Sequence, residues 1–141
     1  MANRTALLAE AYELTSLLFG IVARAQDDFR AVVAEEGLTP PLARMMLMLE
    51  QPRSMRDLAD HLSCDASNVT GLTDRLAARG LVERVPGEDR RVKMVTLTDQ
   101  GRALRARLAA RVAEGSTVTR RLSDDQRAAL RVLLEAMLVD D

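Results

Sequence analysis

The chain has 141 residues, 48% of them hydrophobic and 29% charged, with a formal net charge of −1. That balance suits one soluble globular domain with a buried core and excludes a disordered tail. It also excludes a wholesale basic domain: no region is strongly basic, so any nucleic-acid site has to be a local patch.

The N-terminal Met1-Ala2-Asn3-Arg4 leads into a segment carrying Glu10 and Glu13, which is not a signal core. No apolar run approaches the roughly 20 residues that cross a bilayer, so the expected location is cytoplasmic, with no membrane partner. From about Leu7 to Val33 the apolar residues Leu7, Ala11, Leu14, Leu18, Ile21, Ala25, Phe29 and Val32 recur at helical spacing. They predict one long amphipathic helix, interrupted only by Gly20. Such a helix has more apolar surface than its own domain covers, and pairing with a second copy is the natural remedy.

Gly37 ends that helix. Thr39 is placed to cap the next, with Pro40 at its first position and Leu42, Met45, Met46 and Leu49 on its apolar side, stopping near Pro52. Ser54 opens a short helix, with Asp57 three residues on and Leu58, Ala59 and Leu62 facing inward. Ser63-Cys64-Asp65 makes a tight turn into a third helix, from about Ala66 to Arg79, which Gly80 stops. Two runs rich in β-branched residues follow, Leu81–Val85 and Val92–Leu97, separated by Pro86-Gly87-Glu88-Asp89-Arg90-Arg91 as a hairpin. Thr98 caps a helix reaching about Val118, and Ser123-Asp124-Asp125-Gln126 is an S-x-x-Q capping box before Leu130, Leu133, Leu134, Met137 and Leu138. The pattern reads as one continuous domain, 1–141, without internal repeats. Its fold class is mainly α with a small β-hairpin wing.

Two short helices joined by a tight turn, then a two-stranded hairpin, outline a winged helix-turn-helix. At 100° per residue, Val69, Leu72 and Leu76 share one side of the second of these helices. Ser67, Gly71, Asp74 and Ala78 lie opposite, with Thr70 on one shoulder and Asn68 and Arg75 on the other. A face of small and polar groups is what close approach to a major groove requires, although ordinary solvated helices also carry such faces. The hairpin tip strengthens the reading, because Arg90, Arg91 and Lys93 put three cations within four positions directly after the helix. A guanidinium there can reach phosphates or enter a minor groove.

Leu58–Gly101, read as LADHLSCDASNVTGLTDRLAARGLVERVPGEDRRVKMVTLTDQG, resembles the MarR (multiple antibiotic resistance regulator) family. Asp89-Arg90-Arg91, the strand ending Val95-Thr96-Leu97-Thr98, Gly101, and Leu81-Val82 after Arg79-Gly80 carry the likeness. It implies a dimeric transcriptional regulator with N- and C-terminal dimerisation helices (1–36 and 99–141) around a winged helix-turn-helix (37–98). Two winged domains would sit on a pseudo-palindromic double-stranded DNA site. Arg91 would be the minor-groove arginine, Asp89 would orient the wing through a salt bridge, and Ser67, Asn68 and Thr70 would lie at the start of the recognition helix. The sequence departs from the family at Gly71, where many members carry an arginine that pairs with the wing aspartate. Asp89 is then left to find Arg75 or Arg90. The likeness further implies a repressor relieved by a small anionic or phenolic ligand, whose contact residues the sequence does not identify.

Other readings are weaker. Met45, Met46 and Met48 could line an adaptable pocket, but helical methionines more often fill a core. Cys64, the single cysteine, could make a redox-sensing regulator, but it sits beside Asp65 rather than in a cationic setting. His61 has no second ligand cluster, so no metal or other cofactor is expected. No phosphate-binding glycine loop, G-x-S-x-G or H-E-x-x-H is present, and the adjacent pairs Asp27-Asp28 and Asp124-Asp125 diverge around a helix, so catalysis is not expected. A helical dimerisation or adaptor protein without DNA binding is the other alternative.

Overall fold

The computed structural model describes residues 2–62 and 66–140. The expected turn Ser63-Cys64-Asp65 lies outside the described residues, and with it the redox reading of Cys64. The elements are α1 (Ala2–Glu35), α2 (Pro40–Met48), β1 (Arg53–Ser54), α3 (Met55–Leu62), α4 (Ala66–Ala78), β2 (Val82–Pro86), β3 (Lys93–Leu97), α5 (Asp99–Gly115), α6 (Thr117–Arg121) and α7 (Asp124–Leu138). The fold is mainly helical with one small antiparallel sheet in the order β1-β3-β2. Two compact units emerge, Met1–Phe29 with Ala113–Asp141, and Arg30–Val112. The second is wider than 37–98, because it takes in the last turn of α1 and most of α5.

The unit Arg30–Val112 holds the core. Leu42, Met45 and Met46 on α2, Leu58 on α3, Val69, Leu72 and Leu76 on α4, Leu81, Val82, Val95 and Leu97 around the sheet, and Leu104 and Leu108 on α5 are all buried. Met45 and Met46 are therefore core side chains. Each fully buried aliphatic side chain contributes on the order of 2 kcal/mol. Thr39 has the extended backbone of an N-cap with Pro40 following, but its hydroxyl makes no capping bond. At the other end of α2, Arg53 donates to the Met48 carbonyl at 2.7 Å and Arg105 to the Leu47 carbonyl at 3.0 Å. These arginines supply the donors that a helix C-terminus lacks.

Expected as a two-stranded hairpin, the sheet gains a third strand, because Arg53 pairs with Val95 and Ser54 with Met94. Two residues are too few to show alternation in sequence. Ser54 still opens α3, accepting the Asp57 N–H at 3.1 Å. β2 and β3 run in register from Val82↔Leu97 to Pro86↔Lys93. Pro86 is tolerated there because β2 is an edge strand. Thr98 joins the sheet to α5: its hydroxyl donates to the Gly80 carbonyl at 2.6 Å and accepts the Gly101 N–H at 3.0 Å, while its own N–H donates to the Leu81 carbonyl at 3.1 Å. The approach is so close that a Cβ on Gly101 would overlap the Leu81 carbonyl oxygen.

In the other unit, α1 runs through Gly20 without a break. Leu7, Leu8, Tyr12, Leu14, Leu17, Phe19 and Val22 on α1, and Val132, Leu133, Met137 and Leu138 on α7, are exposed. Among the described residues of this unit, Thr117 alone is buried. α1 is also the one described helix long and apolar enough to cross a membrane, by length and composition, with mean hydropathy 1.5. This corrects the expectation from sequence. Arg4, Glu10, Glu13 and Arg24 look frequent one by one, but the Leu, Ile, Val and Phe between them outweigh them over a helical window. The helix expected to run from Thr98 to about Val118 breaks at Ser116, so that α6 starts at Thr117. Asp28 makes that break stable: its carboxylate accepts the Thr117 hydroxyl, and the Thr117 N–H at 2.9 Å, with Arg120 at 3.9 Å. The capping box of α7 forms as expected, Ser123 and Gln126 exchanging bonds with each other's backbone.

Gly101→Ala should destabilise the Arg30–Val112 unit by about 2–3 kcal/mol, because the obstacle is backbone and cannot turn aside; urea unfolding midpoints measure this. The Thr117 hydroxyl holds the Asp28 carboxyl below its ordinary value of 3.8, helped by the Thr117 N–H and Arg120 and opposed by partial burial. The folded value being the lower one, the stabilisation is full above 3.8 and fades as pH falls through the folded value. Wild type should therefore exceed Asp28→Asn in unfolding midpoint at pH 6, with the gap closing in acid. A gap constant down to pH ~2 would contradict the assignment.

Candidate nucleic-acid interface

α4 buries one side completely. Val69, Thr73 and Leu76 have no exposed surface and Leu72 almost none. Thr73 is a polar intruder the helical spacing did not single out. Its hydroxyl donates to the Val69 carbonyl at 2.7 Å and lies 3.8 Å from the sulfurs of Met45 and Met55. A buried hydroxyl is tolerated only when so bonded. With that side fixed, Ser67, Asn68, Thr70, Asp74, Arg75 and Ala78 are exposed and Gly71 half-exposed. The outward face drawn from the 100° spacing is the outward face of the folded helix. Nothing lies within 4 Å of a Cβ built on Gly71, so this position is open.

Asp74 is already engaged. Its carboxylate takes Arg84 of β2 at 2.5 Å, with side-chain exposures of 62% and 35%. The sequence reading assigned Asp74 to the DNA-facing set and left Arg84 out. In the folded chain the two tie α4 to the hairpin. A pair this exposed contributes less than about 1 kcal/mol, so it orients rather than anchors.

The hairpin loop, 87–92, closes on itself. The Gly87 N–H donates to the Val92 carbonyl at 2.9 Å, and the Val92 N–H to the Asp89 carbonyl at 2.9 Å. Asp89 accepts the Arg91 N–H on Oδ1 at 3.1 Å. The expected salt bridge from Asp89 to Arg75 or Arg90 is not formed. An aspartate two residues before an available N–H satisfies itself locally as an Asx turn. Arg90, Arg91 and Lys93 are exposed, and among the described residues none of them makes an ion pair.

This resolves the near-neutral charge. Within Arg30–Val112, Arg84, Arg102, Arg105, Arg107 and Arg111 are taken up by carboxylates. Among the described residues, the exposed cations on α3, α4 and the hairpin without a carboxylate partner are Arg56, Arg75, Arg90, Arg91 and Lys93, and on α2 Arg44 donates only to the Pro40 carbonyl. Arg56 was missed because one exposed arginine on a short helix gives no pattern. No cluster of metal-ligating side chains occurs among the described residues.

The model of the MarR family matches residues 38–93. The chain is 35% identical over 108 residues to the transcriptional activatory protein BadR of Rhodopseudomonas palustris, covering 72% of this chain and 57% of BadR. It spans about half the length of the curated relatives it matches. Among solved structures it is similar to the transcriptional repressor CouR bound to a 23-mer DNA duplex, with TM-score 0.71 and 32% identity over 96% of this chain and 94% of CouR. It is also similar to BpsR of Bordetella bronchiseptica, whose DNA binding is regulated by 6-hydroxynicotinic acid, with TM-score 0.70 and 27% identity over 90% and 94% of the two chains. With helices α3 and α4, the Asp89-Arg90-Arg91 loop and the Gly101 packing on the page, and a likeness spanning nearly the whole of CouR, the conclusion is that this chain belongs to the MarR family.

Proposed function

We propose that this chain is a sequence-specific DNA-binding transcriptional regulator that acts as a homodimer. The observation that carries the reading is the pairing, on one unit, of an exposed small-polar α4 face with a hairpin whose Arg90, Arg91 and Lys93 make no ion pair among the described residues. α4 reads a major groove through Ser67, Asn68, Thr70 and Arg75, with Gly71 allowing close approach. Arg91 enters the adjacent minor groove, and Arg90, Lys93 and Arg56 hold phosphates. Asp89 keeps the loop closed so that Arg91 projects from a defined turn.

Dimerisation follows from the apolar surface. A unit that buries one side chain and exposes the apolar faces of α1 and α7 requires a cover. A second copy offers the same faces in return, and a two-fold arrangement presents two recognition helices roughly 34 Å apart to a pseudo-palindromic duplex. A membrane would cover α1, but it would leave α7 unexplained and bury Glu10 and Glu13 in lipid. An adaptor lacking DNA binding would need neither an open Gly71 nor unpaired cations beside it.

BadR is named an activator and CouR a repressor, so the direction of regulation varies among similar proteins. For this chain we favour repression relieved by a small anionic or phenolic ligand, on the likeness to BpsR. The ligand's contacts are not assigned to residues.

Selection from a random duplex pool, followed by electrophoretic shifts, tests the reading. Wild type should retain a two-half-site duplex and elute as a mass of two chains. Arg91→Ala should weaken binding by about 1–3 kcal/mol, roughly 5- to 150-fold. Shifts of Arg91→Ala that matched wild type at several salt concentrations would remove the wing from the mechanism, and a one-chain mass would remove the dimer.

A further inference from the structure

We propose that Arg79 is a positioning residue for the recognition helix: it locks the C-terminal end of α4 to the C-terminal turn of α1 and so sets the angle at which the DNA-reading face is presented. This rests on α4 being the DNA-reading helix.

The two helices end in the same way. After α1, Gly37 adopts φ +68°, its N–H donates to the Ala34 carbonyl at 3.0 Å, and the Leu38 N–H to the Val33 carbonyl at 3.0 Å. After α4, Gly80 adopts φ +72°, its N–H donates to the Ala77 carbonyl at 2.9 Å, and the Leu81 N–H to the Leu76 carbonyl at 3.0 Å. Both are Schellman endings, which define the exit of the chain to the residue. Arg79 immediately precedes Gly80. Its guanidinium reaches across to the other ending, donating through Nη1 to the Gly37 carbonyl at 2.9 Å and through Nη2 to the Glu36 carbonyl at 3.3 Å. Carbonyls at a helix C-terminus lack intrahelical donors and carry the negative end of the helix dipole. A planar fork with two N–H groups meets two of them at once, which a lysine ammonium on its flexible stem does not reproduce.

The same turn is held from another side. Glu36, only 15% exposed, takes Arg107 at 3.5 Å and Arg111 at 3.6 Å, and Arg111 also pairs with Glu35. Residues 35–37 thus gather three arginines, one from the end of α4 and two from α5. α1 and α5 are also the helices that continue past the borders of the Arg30–Val112 unit. The end of α4 is therefore fastened to the roots of the helices that leave the unit.

Position separates this role from simple stabilisation. α4 packs through one side only, at Val69, Leu72, Thr73 and Leu76. Such an anchor fixes the helix's depth but resists rocking weakly at the ends. Arg79 lies one turn beyond Leu76, where a tether has most leverage over tilt.

The test uses the full chain, the duplex that wild type selects from a random pool, versions of it with the half-sites one or two base pairs closer or further apart, and a scrambled duplex. Arg79→Ala should bind the selected duplex about tenfold less tightly. It should discriminate less among spacings, keep wild-type affinity for the scrambled duplex, and keep the wild-type salt slope because no phosphate contact is lost. Arg79→Lys should recover only part of the loss. Unchanged spacing preference would overturn the proposal. So would a salt slope lowered by about one, since Arg79 would then be a phosphate contact itself. If Arg79→Ala fails to fold, Arg79→Gln, which keeps a shorter polar side chain without the guanidinium fork, is read by the same criteria. A wild type that selects no duplex would bring down the DNA-binding reading; a wild type that selects one while the variants match it would bring down this inference alone.

Discussion

The burial of one side of α4 is the constraint on which the rest of the interface depends. Val69, Leu72 and Leu76, each contributing on the order of 2 kcal/mol, press the helix against the side chains of α2 and α3. The Asp74–Arg84 pair, exposed as it is, contributes a fraction of that. The apolar side thus supplies the anchor, and the outward side carries the exposed small and polar groups. Thr73 belongs to the anchor despite its hydroxyl, because a carbonyl one turn back satisfies it and the polarisable sulfurs of Met45 and Met55 pack beside it.

Arginine carries two separate duties in this chain. One set neutralises carboxylates or completes helix ends: Arg53 and Arg105 at the end of α2, Arg79 at the end of α1, Arg107 and Arg111 at Glu36. The other set, Arg90 and Arg91 on the closed hairpin loop with Lys93 at the start of β3, makes no ion pair among the described residues. A net charge near zero and a cationic wing are therefore compatible. The count averages over groups whose fields are already cancelled at short range, whereas a nucleic acid senses only those that are not.

Much of this was legible in the sequence because it depends on local rules. The two sides of α4 follow from a 100° step, the end of α4 from Gly80, the start of α7 from Ser123 and Gln126, and the hairpin from Pro86-Gly87 between β-branched runs. What was not legible depends on residues far apart in the chain. β1 exists because Arg53 and Ser54 meet β3 some forty residues later. Asp74 finds Arg84, and Asp89 settles on its own loop, because the fold brings one partner near and withholds the other. The break between α5 and α6 required Asp28, nearly ninety residues upstream, to receive the Thr117 N–H. Spacing identifies which groups face together along one element; it is silent on which element arrives opposite.

The unit built from the two ends of the chain encloses almost nothing by itself, and this bears on how cells would maintain such a protein. For a dimer of the kind proposed, most of that unit's stability comes from its partner, so its free energy of folding carries a mass-action term. A freshly made chain with no mate displays long greasy helices to chaperones and proteases, whereas a paired chain hides them. Abundance and survival are then linked, and a regulator present in few copies persists only while those copies find one another.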